Sequence, residues 1–166
     1  LSEFFKQGES LSKAGINILL LETMNSIPET EAGLIALKKI KQPLWVSFVL
    51  KDDKHLLSGD SLIDALNLLT DYQVDVVLLN CNPLIRTMMA VDNIVDNWSG
   101  NWGIYPNLGK GEPSSNGDIV KHETMKKYIS IIDRSIHLGA SIVGACCGSS
   151  PRHIAEIKKL QFYFSK

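Results

Sequence analysis

Three cysteines are the residues of this 166-residue chain that are best suited to carry out chemistry. Cys81 follows an apolar run, whereas Cys146 and Cys147 are adjacent and lie between Gly144 and Gly148. An odd number of cysteines, two of them adjacent, makes a poor disulfide framework and favours a metal-binding or catalytic role in a reducing compartment. Three converging thiolates would form a Zn²⁺ site with an open fourth position, which is typical of catalytic zinc. A thiol bound there would lose its proton yet stay nucleophilic toward an activated methyl group.

Two other interpretations of these cysteines stay open on the residues alone. Free cysteine is among the most buried residue types, so each could be a core side chain. An oxidised Cys146–Cys147 pair would be a vicinal disulfide. Neighbouring side chains alternate faces in a strand, so both can point the same way only where the strand breaks into a loop. Gly144 and Gly148 would allow such a break.

The elements that must position the cysteines follow from a regular alternation of apolar runs and amphipathic stretches. Five runs rich in Val, Ile and Leu lack polar alternation, which is typical of strands covered on both faces. They predict strands over Asn17–Glu22, Leu44–Leu50, Val74–Asn80, Trp102–Tyr105 and Ser141–Gly144. A helix over Ser2–Ala14 is expected before the first strand.

Helix start and stop signals separate these runs. Ser26-Ile-Pro-Glu29 resembles a capping box, and Asn82 and Ser150 each precede a proline that would take the first helical position. Gly15 and Gly139 are expected to end helices as glycine caps. Apolar positions in helical spacing predict the buried face of the third helix: Leu62, Ala65, Leu66 and Leu69.

A helix followed by about five βα units predicts a single α/β domain over 1–166 with a parallel sheet. Two folds fit this order, an open doubly wound sheet and part of a (β/α)₈ barrel. A whole barrel needs about 250 residues, so roughly three units would be missing on the N-terminal side.

Polar and thiol side chains follow the predicted strands. In parallel α/β folds, functional groups gather at the C-terminal ends of strands. The residues there are Glu22, Thr23, Asn80, Cys81, Asn107, Cys146 and Cys147. A carboxylate such as Glu22 at the end of an apolar strand is costly unless it is paired or faces a site.

Composition and hydropathy argue against nucleic-acid-binding, membrane-spanning and secreted proteins. The chain has 17 basic and 18 acidic residues and no basic run, which argues against a nucleic-acid partner. No apolar stretch reaches the roughly 18 residues of a membrane span, and no signal peptide is visible, so we expect a cytoplasmic protein.

The stretch Gly109–Gly117 resembles a flexible lid. The histidines are interpreted as surface or structural residues.

The double cysteine also carries a family likeness. Gly144-Ala-Cys-Cys-Gly-Ser-Ser-Pro-Arg-His-Ile154 is similar to the signature of the zinc-dependent homocysteine S-methyltransferase family. Further matches in the same order are Leu21-Glu22-Thr23, Trp45-Val-Ser-Phe48, Asn80-Cys81 and Tyr105-Pro-Asn107. The chain thus resembles the C-terminal part of the family. Leu78 and Ala145 stand where the family has glycine, and nothing matches the family's first strand.

The resemblance implies a partial (β/α)₈ TIM-type barrel whose N-terminal strands are missing. It implies a Zn²⁺ ion bound by Cys81, Cys146 and Cys147, with homocysteine bound to zinc through its sulfur. Glu22 would hold the substrate's amino group, and the remaining pocket residues would be Thr23, Ser47, Asn80 and Asn107. No catalytic residue is expected beyond the zinc site.

The function implied by the resemblance is zinc-dependent transfer of a methyl group to homocysteine or a similar small thiol, in methionine biosynthesis. The donor in the family is S-methylmethionine, S-adenosylmethionine, a betaine, or a methylated corrinoid or folate. The alternative is a truncated, non-catalytic remnant that binds zinc or self-associates as a homo-oligomer covering the open barrel edge. A third hypothesis is that the cysteines are redox-active and lie on a doubly wound sheet. It is disfavoured because no Cys-x-x-Cys pair is present.

Overall fold

The computed structural model describes residues 1–111, 114, 116–119 and 121–164, with side chains up to residue 160. Helices and strands alternate along this part of the chain. They are α1 (Ser2–Lys13), β1 (Leu19–Met24), α2 (Ile27–Leu37), β2 (Leu44–Phe48), α3 (Leu62–Asp71), β3 (Val76–Pro83), α4 (Leu84–Asn97), β4 (Asn101–Asn107), α5 (Met125–His137), β5 (Ile142–Val143) and α6 (Pro151–Phe164).

The strands form one five-stranded sheet in the order β1-β2-β3-β4-β5. Every neighbouring pair is parallel. A doubly wound sheet reverses its strand order at a switch point, whereas a barrel adds each strand beside its predecessor. The described strands follow the second pattern, so the doubly wound alternative is wrong.

The two faces of the sheet carry different side chains. Val46, Phe48, Val77, Leu79 and Ile104 are fully buried in the hydrophobic core. The helices cover this outer face, and the predicted face of α3 is the face that packs there. Because side chains alternate along a strand, the residues between them face the barrel interior. These inner residues include Glu22, Ser47, Asn80 and Tyr105.

The five predicted strands are all present, with shifted ends. β3 was expected over Val74–Asn80 but spans Val76–Pro83, and β5 was expected over Ser141–Gly144 but spans only Ile142–Val143. The serine half of the predicted capping box is confirmed, because the Glu29 amide donates to the Ser26 hydroxyl at 3.3 Å. The Glu29 carboxylate accepts from the Asn25 amide at 3.2 Å, one residue before the expected donor.

The expected capping role of Asn82 is wrong. β3 continues through Asn82, and α4 begins after Pro83 without a side-chain cap. Asn82 is instead fully buried. Its Oδ1 accepts from the Leu50 amide at 2.7 Å, and its Nδ2 donates to the Phe48 carbonyl at 3.2 Å. This side chain therefore continues the pairing of β2 with β3 beyond the point where β2 ends.

The expected lid over Gly109–Gly117 falls partly outside the described residues, which omit 112, 113 and 115. Throughout the part that is described, no helix combines the length and the apolar character that crossing a bilayer requires.

We predict that Asn82→Ala lowers the free energy of unfolding of the metal-free chain by about 3 kcal/mol. Two buried backbone groups lose their partner, and each such loss costs about 1–3 kcal/mol. The control is Asn97→Ala, which removes an exposed bond to the Asn93 carbonyl and should cost less than about 0.5 kcal/mol. Urea unfolding of both variants measures the difference. Equal costs would contradict the bridging role of Asn82.

Candidate metal centre

The sulfur atoms of the three cysteines lie together at the C-terminal edge of the sheet. The Sγ atom of Cys147 is 3.4 Å from that of Cys81 and 3.9 Å from that of Cys146. All three sulfurs lie within 4.8 Å of one another. A tetrahedral zinc ion with bonds of about 2.3 Å holds its sulfur ligands about 3.8 Å apart. The donor set and its spacing therefore fit zinc with small adjustments.

Exposure and distance decide against the two alternative interpretations of the cysteines. Cys81 and Cys146 are half-buried and Cys147 is exposed, so they are not core side chains. All three are free thiols, and the Cys146 and Cys147 sulfurs are too far apart for a vicinal disulfide.

Cys81 reaches the cluster because its backbone leaves regular strand geometry. The pairing of β3 with β4 shifts register between Asn80 and Pro83, and Cys81 has a φ of 54°. A non-glycine residue in the left-handed region costs about 1–3 kcal/mol. The Asn107 Nδ2 donates to the Cys81 carbonyl at 2.6 Å and braces this bend. Because of this bend, the adjacent residues Asn80 and Cys81 both contribute side chains to the site at the C-terminal edge of the sheet.

The cysteine pair lies in a turn beyond β5, as the alternation of side chains in strands requires. The Cys146 amide donates to the Pro106 carbonyl at 3.0 Å, and the Cys147 carbonyl accepts from the Leu108 amide at 3.0 Å. Gly148 follows with a φ of 77°. This turn is therefore fixed by backbone hydrogen bonds to the end of β4.

Tyr128 of α5 and His153 of α6 support the same turn. The buried Tyr128 hydroxyl donates to the Gly144 carbonyl at 2.5 Å. Its ring meets the His153 ring edge-on, with centroids 5.5 Å apart. The His153 Nδ1 accepts from the Ser150 amide at 3.1 Å at the start of α6. His153 thus has a structural, capping role, as its position in the sequence indicates.

The surroundings of Cys81 and Cys146 raise the pKa of both thiols. Burial, together with the neighbouring Cys146 and Cys147 thiols, raises the pKa of the Cys81 thiol to about 12. Burial also raises the pKa of Cys146. A bound cation would supply the charge that favours three thiolates at one point, and binding would release protons.

The residues expected to line the pocket form a connected network on the inner face. The Asn80 Nδ2 donates to the Thr23 Oγ1 at 2.8 Å, and the Thr23 amide donates to the Ser47 Oγ at 3.0 Å. Thr23 has a φ of 62°, a second left-handed residue beside the site. Asn107 lies apart from this network: its Oδ1 accepts from the Gly109 amide at 2.8 Å while its Nδ2 braces Cys81.

Tyr105 joins this network, although it is not among the site residues predicted from the sequence. Its hydroxyl oxygen lies 3.0 Å from Oε1 of Glu22 and 3.0 Å from Oγ of Ser47. The signal that could have identified it is positional. Tyr105 is a polar-tipped residue near the end of β4, on the same face as Glu22 and Ser47.

Comparison with known proteins matches nearly the whole chain. A family model described as homocysteine S-methyltransferase matches residues 1–161. The homocysteine S-methyltransferase of Escherichia coli is 30% identical over 153 residues, which cover 90% of this chain and 49% of that protein. Homocysteine S-methyltransferase YbgG of Bacillus subtilis is 26% identical over 151 residues, which cover 90% of this chain and 48% of that protein. The chain thus spans about half the length of these relatives.

Solved structures of the homocysteine methyltransferase MmuM from Escherichia coli show the same fold. Its oxidized form matches with a TM-score of 0.78 at 28% identity, covering 95% of this chain and 51% of that chain. Its metallated form matches with a TM-score of 0.78 at 27% identity and the same coverage. With the sequential strand order, these matches identify the sheet as part of a (β/α)₈ barrel.

We predict that Gly148→Ala weakens metal binding about ten-fold, because the cysteine turn must shift. An added Cβ would strain the positive φ and lie 3.1 Å from Cε1 of His122. The control is Gly15→Ala, where φ is 83° but nothing lies within 4 Å of the added atom. It should lower stability by about 1 kcal/mol and leave metal affinity unchanged. Competition with a chromophoric chelator measures the affinities. Equal affinities in both variants would contradict the prediction.

Proposed function

The chain belongs to the homocysteine S-methyltransferase family, and we propose that it holds zinc through Cys81, Cys146 and Cys147 to activate the thiol of homocysteine. The observation that supports this most directly is the convergence of the three sulfurs within 4.8 Å. Three thiolate ligands leave the fourth position of a tetrahedral ion for the substrate, which is the arrangement of catalytic zinc.

Zinc, when bound, would lower the pKa of a coordinated thiol and keep the sulfur nucleophilic at neutral pH. In the proposed reaction, a bond would form between the substrate sulfur and the methyl carbon while the bond between the methyl carbon and its donor breaks. The thiol proton leaves to solvent. The product of this transfer to homocysteine is methionine, so we place the activity in methionine biosynthesis.

The chain's own side chains would bind the rest of the substrate. The Glu22 carboxylate lies on the inner face, where it would accept hydrogen bonds from the substrate's ammonium group. Thr23, Ser47 and Asn80 would shape the pocket beside it, and Asn107 would keep Cys81 in place. Thiol ligands of this kind must stay reduced, which supports a cytoplasmic location.

An alternative function has a specific observation in its favour. The chain spans about half the length of its relatives, and β1 lies at the edge of the described sheet with β2 as its one partner. A partial barrel could bind zinc without turnover and cover its open edge by self-association. Two large apolar side chains in or next to β1 are exposed, Ile18 by 41% and Leu20 by 38%.

We predict that the purified, reduced chain contains about one zinc ion, and that Cys81→Ser, Cys146→Ser and Cys147→Ser each remove it. Elemental analysis measures the metal, and circular dichroism checks that each variant is folded. The loaded chain is then mixed with homocysteine and each methyl donor, and mass spectrometry measures methionine.

If methionine forms and its formation is lost in the variants that lose zinc, the methyltransferase function is supported. Zinc without methionine would favour the non-catalytic alternative. The absence of zinc after reconstitution, or its retention in the cysteine variants, would contradict the proposed metal site.

We also predict that the chain forms a homo-oligomer through the β1 edge. Leu20→Lys places a charge on the exposed apolar surface and should shift the chain toward monomer. The control is Ile63→Lys, a similarly exposed residue on α3 at 41% exposure, which should leave the association unchanged. Sedimentation equilibrium gives the masses. A monomeric parent chain, or equal behaviour of the two variants, would contradict the prediction.

A further inference from the structure

We infer that Tyr105 is a positioning residue that makes the site selective for thiols carrying an ammonium group, because it holds the Glu22 carboxylate in place. This inference rests on the proposed function, since it concerns how the thiol substrate would be chosen. It adds a residue from β4 to the hydrogen-bonded network of Thr23, Ser47 and Asn80, which come from β1, β2 and β3.

The hydroxyl of Tyr105 is held from two sides. It lies 3.0 Å from Oε1 of Glu22 and 3.0 Å from Oγ of Ser47. An ionised carboxylate can only accept, so the single phenolic proton goes to Glu22, and the Ser47 hydroxyl hydrogen is available to the phenol oxygen. Ser47 is fully buried and also accepts from the Thr23 amide at 3.0 Å. The phenol therefore has a fixed position.

Glu22 needs such a partner because its side chain is exposed on the open inner face. A glutamate with three rotatable bonds loses considerable entropy when a ligand must order it. The rigid phenol ring orders it beforehand by binding Oε1. Within the described residues no hydrogen bond reaches Oε2, so this second oxygen is left for a cationic group.

The carboxylate is ordered on the same edge as the sulfurs. Tyr105 is the register partner of Asn80, which directly precedes Cys81. Burial raises the pKa of Tyr105, and the charge of Glu22 raises it further, so the phenol keeps its proton at neutral pH. When a thiol substrate is bound at the sulfur cluster, the end of the molecule opposite the thiol would face the ordered Glu22 carboxylate. An ammonium group would be attracted there, whereas a tail with a carboxylate alone would be repelled.

The test is thiol binding to the cobalt-loaded full chain, followed by the sulfur-to-cobalt charge-transfer absorbance. The probes are homocysteine and 4-sulfanylbutanoate, which has the same thiol and carboxylate but lacks the amine. The variants are Tyr105→Phe, Glu22→Gln and the double variant. The matched control is Tyr72→Phe, because the Tyr72 hydroxyl also donates to a carboxylate, Glu31 at 3.3 Å, away from the site.

We expect the parent chain to prefer homocysteine by about ten-fold, the scale of one hydrogen bond to a charged group. Tyr105→Phe and Glu22→Gln should each abolish this preference, the double variant should lose nothing more, and Tyr72→Phe should retain it. Cobalt affinity should be the same in all of them.

Two results would overturn the inference while leaving the proposed function intact. One is a preference that survives Tyr105→Phe but is lost in Glu22→Gln. The other is a loss of binding in Tyr105→Phe that is equal for both thiols, since that would indicate general support of the fold. If neither thiol produces the absorbance band with the parent chain, the proposed function fails and the inference fails with it.

Discussion

The last two residues of β4 and the residue after them hold the backbones of the three cysteines. The Pro106 carbonyl accepts from the Cys146 amide, the Asn107 side chain donates to the Cys81 carbonyl, and the Leu108 amide donates to the Cys147 carbonyl. β4 lies between β3 and β5, so the sulfurs approach one another across its end. This strand end therefore sets the separation of the sulfur atoms, and the rest of the site is arranged around it.

Backbone strain is concentrated at the same edge. In the described part of the chain, the non-glycine residues with positive φ are Thr23, Gln73 and Cys81. Gln73 follows the end of α3, where a left-handed residue is common. Thr23 and Cys81 have no such local reason. They are held by side chains of neighbouring strands, Ser47 and Asn107, and strained residues that cluster in this way are typical of functional sites.

The sequence predicted the barrel strands, the buried face of α3 and the family, because burial and the double-cysteine motif are local patterns. It could not predict the bend at Cys81, because that bend depends on Asn107, 26 residues away. The same limit explains the error at Asn82, where an asparagine before a proline has a strong local preference for capping. In the structure, its bonds to Leu50 and Phe48 of the neighbouring chain segment override that preference. Tyr105 was missed because its apolar ring resembles a core residue in sequence.

The separation of Cys81 and Cys147 along the chain, 66 residues, has a consequence for assembly. The segment between them contains α4, β4, α5 and β5, so the two sulfurs can meet only after these elements have packed in order. A metal held by the three cysteines would act as a reversible cross-link that closes this long loop. The metal would therefore bind late in folding, after the last βα unit has joined the sheet. By binding there, the ion would stabilise the complete five-stranded sheet relative to partly folded chains.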